Sequence, residues 1–319
     1  VMGQRTAVWK AALWGGICGT LPDLDAFIDY GDAVRNMTYH RAESHGLFYL
    51  TLLSPLIAWL ASRLHGEVQH FQRWWLALWL ALVTHPLLDT MTIYGTQLLQ
   101  PFSEYPFAVG SIFIIDPLYT VPLLVGVAAA LARRAYAGLR WNTAGLVLST
   151  AYLAWSALAQ ANVQEVAKES LAARGISAPQ FFATPTPFNT VLWRVVVMRD
   201  NGFEEGFYSL LDAERKIRFD AFESNTAVYQ ATRDLWAVQR MAWFTGGFFK
   251  MQERDGAALL SDLRMGQEPH YFFTFKVAQR QSPYFATVLP ENQGSRGDVA
   301  QALTWLWVRL QGNDVAPPR

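Results

Sequence analysis

The chain has 319 residues, with 26 basic and 26 acidic side chains and no formal net charge, so no global field draws it to nucleic acid. Charged residues make up only 16%, low against about 25% for soluble domains. One cysteine, Cys18, excludes an internal disulfide framework. The chain opens Val1-Met2-Gly3 with no signal-peptide pattern, which reads as a removed leader or a truncated start.

In chain order, five apolar segments are predicted to span or enter a bilayer, at about 20 residues per span. They are Trp9–Leu21, Gly46–Ala61, Trp74–Leu88, Ile112–Ala132 and Thr143–Ala161. If the spans alternate, one set of loops carries Arg5, Lys10, Arg63, Arg73, Arg133, Arg134 and Arg140, and the other only Arg35 and Arg41. The excess of Lys and Arg assigns the first set to the cytoplasm. The second set and the C-terminal half then face outward, which is the periplasm in a Gram-negative cell. Residues 162–319 hold most of the acidic groups. The expected architecture is an α-helical transmembrane bundle with the site (1–161), a linker (162–190) marked by Pro179, Pro185 and Pro187, and a soluble α+β domain with an antiparallel sheet (191–319). Within that domain 192–199, 206–211, 242–251, 257–263 and 271–278 have strand composition. Residues 167–174, 225–240 and 297–310 read as helices.

The outer ends of the spans carry polar residues that apolar segments do not require. Asp23 and Asp25 close the first, His40-Arg41-Ala42-Glu43-Ser44-His45 opens the second, and His85 and Asp89 close the third. His85 and Asp89, four apart, point the same way from a helix. Asp23 and Asp25 share a face if Pro22 holds their stretch extended. Three imidazoles and three carboxylates can hold one ion, or two if a carboxylate bridges. Donors of mixed N and O type without Cys admit zinc, manganese or iron. Asp116 reads as a helix-terminal residue, and His65, His70 and His270 as unrelated to the cluster.

The succession PDLD, HRAESH, HPLLD and YGTQLLQPF over about residues 1–130 resembles the YdjM-type (DUF457) membrane-bound metal-dependent hydrolases, distantly similar to zinc-dependent phospholipase C and S1/P1 nucleases. The resemblance implies metal-ligand roles for Asp23, Asp25, His40, His45, His85 and Asp89. It implies supporting or phosphate-binding roles for Arg41 and Ser44, and a loop-shaping role for Tyr94 and Gly95. Glu43 is the one nearby candidate base. Members carry a short polar motif and a helix ahead of the point where this sequence starts. The expected function is hydrolysis of a phosphoester in a phospholipid or lipid-linked amphiphile at the outer leaflet of a bacterial inner membrane. A membrane metalloprotease or amidase, a non-catalytic metal-binding scaffold and a transporter are the rivals.

Overall fold

The computed structural model describes every residue except 4, 134, 135, 178 and 179. Arg134 of the charge count and Pro179 of the expected linker therefore lie outside the described residues. Two compact units are present. The first comprises 1–28, 39–109 and 114–155; the second comprises 29–38, 110–113 and 156–319.

Each of the five apolar segments contributes a helix. These are α1 (Val8–Thr20), α3 (Leu47–Leu64), α4 (Phe71–Thr90), α5 (Pro117–Arg133) and α6 (Tyr136–Ala172), with the short α2 (Ala33–Tyr39) after α1. Five helices that span or enter a bilayer are the expectation, and helix length alone confirms fewer as spans. Among the described residues two helical stretches, Leu47–Leu64 and Gly138–Ala172, are long and apolar enough to cross a bilayer. At 13 residues, α1 is about 20 Å long, short of a hydrocarbon core of about 30 Å. Its partner α5 is apolar but has 17 residues.

Helix α3 inverts the soluble pattern beyond its first turn. After Leu50, its buried residues are Ser54, Ala58, Ala61 and Ser62, while Leu52, Leu56, Trp59, Leu60 and Leu64 are exposed. Small residues inside and large apolar residues outside suit contact with hydrocarbon, not water. The buried stripe of α4 runs Trp74, Leu78, Leu82 at four-residue spacing and packs with Trp14 and Cys18 of α1 and Leu50 of α3. Continued along the same face, that stripe reaches His85 and Asp89. Between α5 and α6 the approach is close: a Cβ on Gly145 would lie 2.2 Å from the Pro122 carbonyl oxygen.

The second unit holds two four-stranded antiparallel sheets. The first orders β1 (Phe181–Pro185), β2 (Leu192–Arg199), β3 (Gly202–Ser209) and β4 (Phe219–Glu223) as a meander. The other is ordered β10–β9–β6–β5, from β5 (Phe249–Arg254), β6 (Ala257–Asp262), β9 (Thr274–Gln281) and β10 (Tyr284–Asn292). A two-stranded ribbon, β7 (Gly266–Gln267) with β8 (His270–Tyr271), completes the strands. The end of α6 packs Val163, Val166, Ala167 and Leu171 on Trp193, Val195 and Val197 of the first sheet. Val196 and Phe203 of the first sheet form a core with Leu263, just past β6, and Tyr271 of β8.

Two expectations are corrected in this unit. Residues 162–190 are not a free linker: α6 continues to Ala172 and Phe181–Pro185 is an edge strand paired with β2. Pro185 fits at the end of β1 because an edge strand can leave an N–H side unpaired. Residues 242–251 are not one strand: α8 (Trp236–Phe244) ends there, Gly246 and Gly247 turn at positive φ, and β5 follows. The stretch expected as one helix, 225–240, is α7 (Thr226–Thr232) followed by the start of α8, and α9 (Val299–Leu310) covers the last predicted helix.

Candidate metal centre

All the sequence-selected residues of the PDLD, HRAESH and HPLLD motifs lie in the first unit. Pro22 has no N–H to continue α1, and the chain tightens into a 3-10 turn over Pro22–Phe27. The extended stretch expected here is thus replaced by a turn that sends Asp23 and Asp25 to different partners. His40 follows the end of α2, and a second 3-10 turn, Glu43–His45, delivers His45 to the start of α3. Between them Arg41 takes φ 63°, a left-handed conformation that a non-glycine residue adopts only when its surroundings fix it.

Four donors converge. One ligand atom from each of Asp23, His45, His85 and Asp89 lies within 4.8 Å of the others. His45 Nε2 is 3.3 Å from His85 Nε2, 3.4 Å from Asp23 Oδ1 and 3.2 Å from Asp89 Oδ2. His85 Nε2 is 3.5 Å from Asp23 Oδ1 and 3.3 Å from Asp89 Oδ2. Asp23 Oδ1 and Asp89 Oδ2 are buried and have no hydrogen-bond partner. Two orphaned carboxylate oxygens facing two imidazole nitrogens are costly unless a cation lies among them. A tetrahedral ion with N and O donors at 2.0–2.1 Å sets those donors about 3.3 Å apart, so the five separations match a bound divalent metal.

A second group, Asp23, Asp25 and His40, shares Asp23 with the first. Here the carboxylate is already engaged. Asp25 Oδ1 pairs with His40 Nδ1 at 2.8 Å, and Oδ2 accepts from Arg41 N at 2.9 Å and from Ser44 Oγ. Ser44 Oγ also lies 2.8 Å from His45 Nδ1. His45 and His85 beside it hold the Asp23 carboxyl well below the usual carboxylate range. Burial raises the Asp25 carboxyl, but the bonds from His40, Ser44 and Arg41 outweigh it and the net direction is down. Both groups are therefore anions at neutral pH.

Arg41 is buried, and its guanidinium reaches Asp89 Oδ1 at 3.2 Å and Thr92 Oγ1 at 3.3 Å, with the Tyr94 ring 5.1 Å away. It holds the outer oxygen of Asp89 and leaves Oδ2 to the cluster. Tyr94 also lies edge-on to His40, with centroids 5.5 Å apart. The loop after α4 closes on the site through Gln97 N, which donates to Arg41 O, and Leu47 N, which donates to Leu98 O. Gly46 permits this, since a Cβ there would meet Gln100 at 3.1 Å. Thr92, which donates to Asp89 O at 2.7 Å, escaped sequence reasoning. A threonine in a polar loop carries no periodic signal.

Other candidates fall outside the cluster. Glu43 is exposed and belongs to neither donor group. Asp116 is buried at the start of α5, where it accepts from Leu118 N at 2.9 Å and from Tyr152 OH at 2.8 Å, so it caps the helix. His65 Nε2 accepts from the Trp14 indole at 2.9 Å, and His270 Nδ1 pairs with Ser295 Oγ at 3.1 Å. Neither of these, nor His70, joins a donor group among the described residues.

Comparison with known proteins agrees with the motif order. A curated relative, the uncharacterized protein YfhP of Bacillus subtilis, is 27% identical over 129 residues, 40% of this chain and 39% of that protein. The match thus spans about two-fifths of the relative's length. No solved structure matches. The family described as YdjM inner membrane protein matches residues 1–163, the region that contains the His and Asp residues of both groups, and the chain belongs to that family.

Proposed function

We propose that the protein is a metal-dependent hydrolase of a phosphoester in a phospholipid or lipid-linked amphiphile, embedded in the inner membrane with its metal centre near the outer leaflet. The observation that carries this reading is the company of the His and Asp cluster. Residues that flank the donors in sequence leave large apolar side chains exposed: Leu24, Phe27 and Ile28 beside Asp23 and Asp25, Phe48 after His45, and Leu87 between His85 and Asp89. Phe27 is 86% exposed, and Phe102, whose ring contacts Phe48, is 77% exposed. Exposed apolar side chains next to the donors in the chain suit contact with acyl chains whose headgroup reaches the polar centre. The Lys and Arg distribution supports a multi-pass topology with this end outside. The HxxxD spacing of His85 and Asp89 resembles that of zinc-dependent phospholipase C, and that resemblance favours phosphoester chemistry.

Asp23, His45, His85 and Asp89 would hold a divalent ion, zinc by donor geometry, with manganese or iron allowed by donor type. When bound, such an ion supplies Lewis-acid activation of a phosphoester and of the attacking water. The chain's own residues set the rest. Asp23, with a side chain 47% exposed, is the donor on the open side. Arg41 offsets the charge of Asp89 from behind. His40, its Nδ1 held by Asp25 and its side chain 22% exposed, is the group placed to handle a proton.

The test is incubation of detergent-purified, metal-loaded protein with mixed micelles of a phospholipid panel, beside a water-soluble phosphodiester. Release of a lipid product that disappears in His85→Ala supports the reading. No product from any headgroup at full metal occupancy would sink it. One observation favours a non-catalytic rival: four protein donors are the number a closed structural zinc site uses. That rival predicts full occupancy and no turnover.

A further inference from the structure

The arrangement around Asp25 bears on the number of ions, and it rests on the metal-centre part of the proposed function. We infer that the centre holds one ion on Asp23, His45, His85 and Asp89, and that Asp25 orients His45 through Ser44 in place of binding a second ion.

Lone pairs and protons around Asp25 decide between one ion and two. Carboxylate oxygens here divide into two kinds. Asp23 Oδ1 and Asp89 Oδ2 are buried without a hydrogen-bond partner. Asp25, with a side chain 3% exposed, accepts three hydrogen bonds from its own neighbourhood. An oxygen that already accepts from a backbone N–H and a hydroxyl has both lone pairs in use. A second ion at Asp25 would have to displace Arg41 N or Ser44 from Oδ2, or take the single lone pair that His40 leaves on the buried Oδ1. His40 Nδ1 is likewise taken.

Proton placement follows from the same bonds. Asp25 Oδ2 already accepts from the Arg41 N–H, and Ser44 Oγ donates to the same oxygen. The Ser44 oxygen then accepts from His45 Nδ1–H. His45 Nε2 is left without a proton, its lone pair turned to the cluster where His85 Nε2 and both orphaned oxygens lie. The relay Asp25–Ser44–His45 thus selects the tautomer that can bind metal. It is a hydroxyl-bridged form of the carboxylate–histidine pairing found behind zinc ligands, whose loss costs roughly 10–100-fold in affinity. Asp25 and Ser44 are positioning residues: neither touches the ion.

The experiment is metal binding by the detergent-solubilised full chain, read as metal-to-protein ratio after dialysis and as affinity and visible absorption with Co2+. The expected wild-type result is one ion per chain with the intense absorption of four-coordinate cobalt. Ser44→Ala and Asp25→Asn keep a ratio of one at saturating metal, weaken affinity roughly 10–100-fold and alter the absorption. Ser44→Thr, which keeps the hydroxyl, restores wild-type affinity. His45→Ala loses the ion. Two ions in the wild type falling to one in Asp25→Asn overturns the inference, as does wild-type affinity in Ser44→Ala. No ion in the wild type sinks the metal centre itself and with it the proposed hydrolase. If Asp25→Asn does not fold, the comparison of Ser44→Ala with Ser44→Thr decides alone.

Discussion

Arg41 concentrates several demands on one residue. Its N–H holds Asp25, its carbonyl holds Gln97, and its guanidinium holds Asp89, all from a left-handed backbone. Removing a buried partner of an anion costs roughly 3–5 kcal/mol, so Arg41→Ala is expected to lower the thermal midpoint in detergent and weaken metal binding. Arg41→Gly loses the same charge but accepts the positive φ, and should be more stable than Arg41→Ala by about 1 kcal/mol. Parallel melts of the three proteins test that order; Ala equal to or above Gly counts against strain at this position. His40 tests differently: His40→Gln is expected to retain the ion and lose turnover, measured by metal ratio beside lipid hydrolysis. At this scale the sequence was informative where a period exists and silent where it does not. His85 and Asp89 announce themselves by four-residue spacing on a helix. The separate jobs of Asp23 and Asp25 depend on a 3-10 turn, and that of Ser44 on the left-handed step at Arg41. Neither conformation leaves a repeat in the residues.

Among elements, the short α1 is tied at the end away from the donors. Glu67 accepts from Lys10 Nζ at 2.7 Å, Thr6 Oγ1 at 2.9 Å and the Trp74 indole at 3.0 Å. Burial raises the Glu67 carboxyl, yet these bonds win and it sits below its ordinary value. A carboxyl depressed in the folded state contributes stability that is fully present above its unfolded value of about 4.3 and is lost as pH falls through the folded value. Glu67→Gln should therefore melt below wild type at pH 6, with the gap narrowing as pH falls below the unfolded value. A gap that stays constant with pH would show that the charge of Glu67 adds nothing. The α5–α6 pair makes a sharper demand. Gly145→Ala drives a methyl into the Pro122 carbonyl and should cost roughly 1–3 kcal/mol, whereas Gly15→Ala on α1 meets open space and should be neutral or stabilising. Thermal melts of the two variants compare them directly. Helices were legible as elements because apolar runs mark them; their lengths were not, because Gly, Pro and loop polarity trim a run without changing its composition. The GG at 246–247 was the visible boundary inside the misread 242–251, but its aromatic flanks resemble a strand on either side.

On the scale of the whole molecule, the order of residues and the order of units differ. Residues 29–38 lie between the PDLD and HRAESH motifs yet belong to the second unit. There Arg35 stacks over Trp236 with 4.3 Å to the ring centroid, and Arg240 Nε donates to Thr38 Oγ1 at 3.1 Å. Residues 110–113 join the same unit, with Phe113 against Phe188. A fragment covering only 162–319 lacks both pieces and is expected to be less stable than the same unit in the full chain. Limited proteolysis of the two, followed over time, checks this; equal resistance would mean the inserted pieces are dispensable. No single cut point in the sequence separates these units, which is why composition could mark two halves but not this interleaving.

The same interleaving has a consequence for the order in which the protein is made. Thr38 and Arg240 are 202 residues apart. At about 5–20 residues per second, the ribosome delivers α8 some 10–40 s after α2 has emerged. During that interval the stretch linking the first two donor motifs has left the ribosome without the helix it packs on. The second unit is therefore completed late in biosynthesis, even though its first piece, residues 29–38, was translated within the first third of the chain.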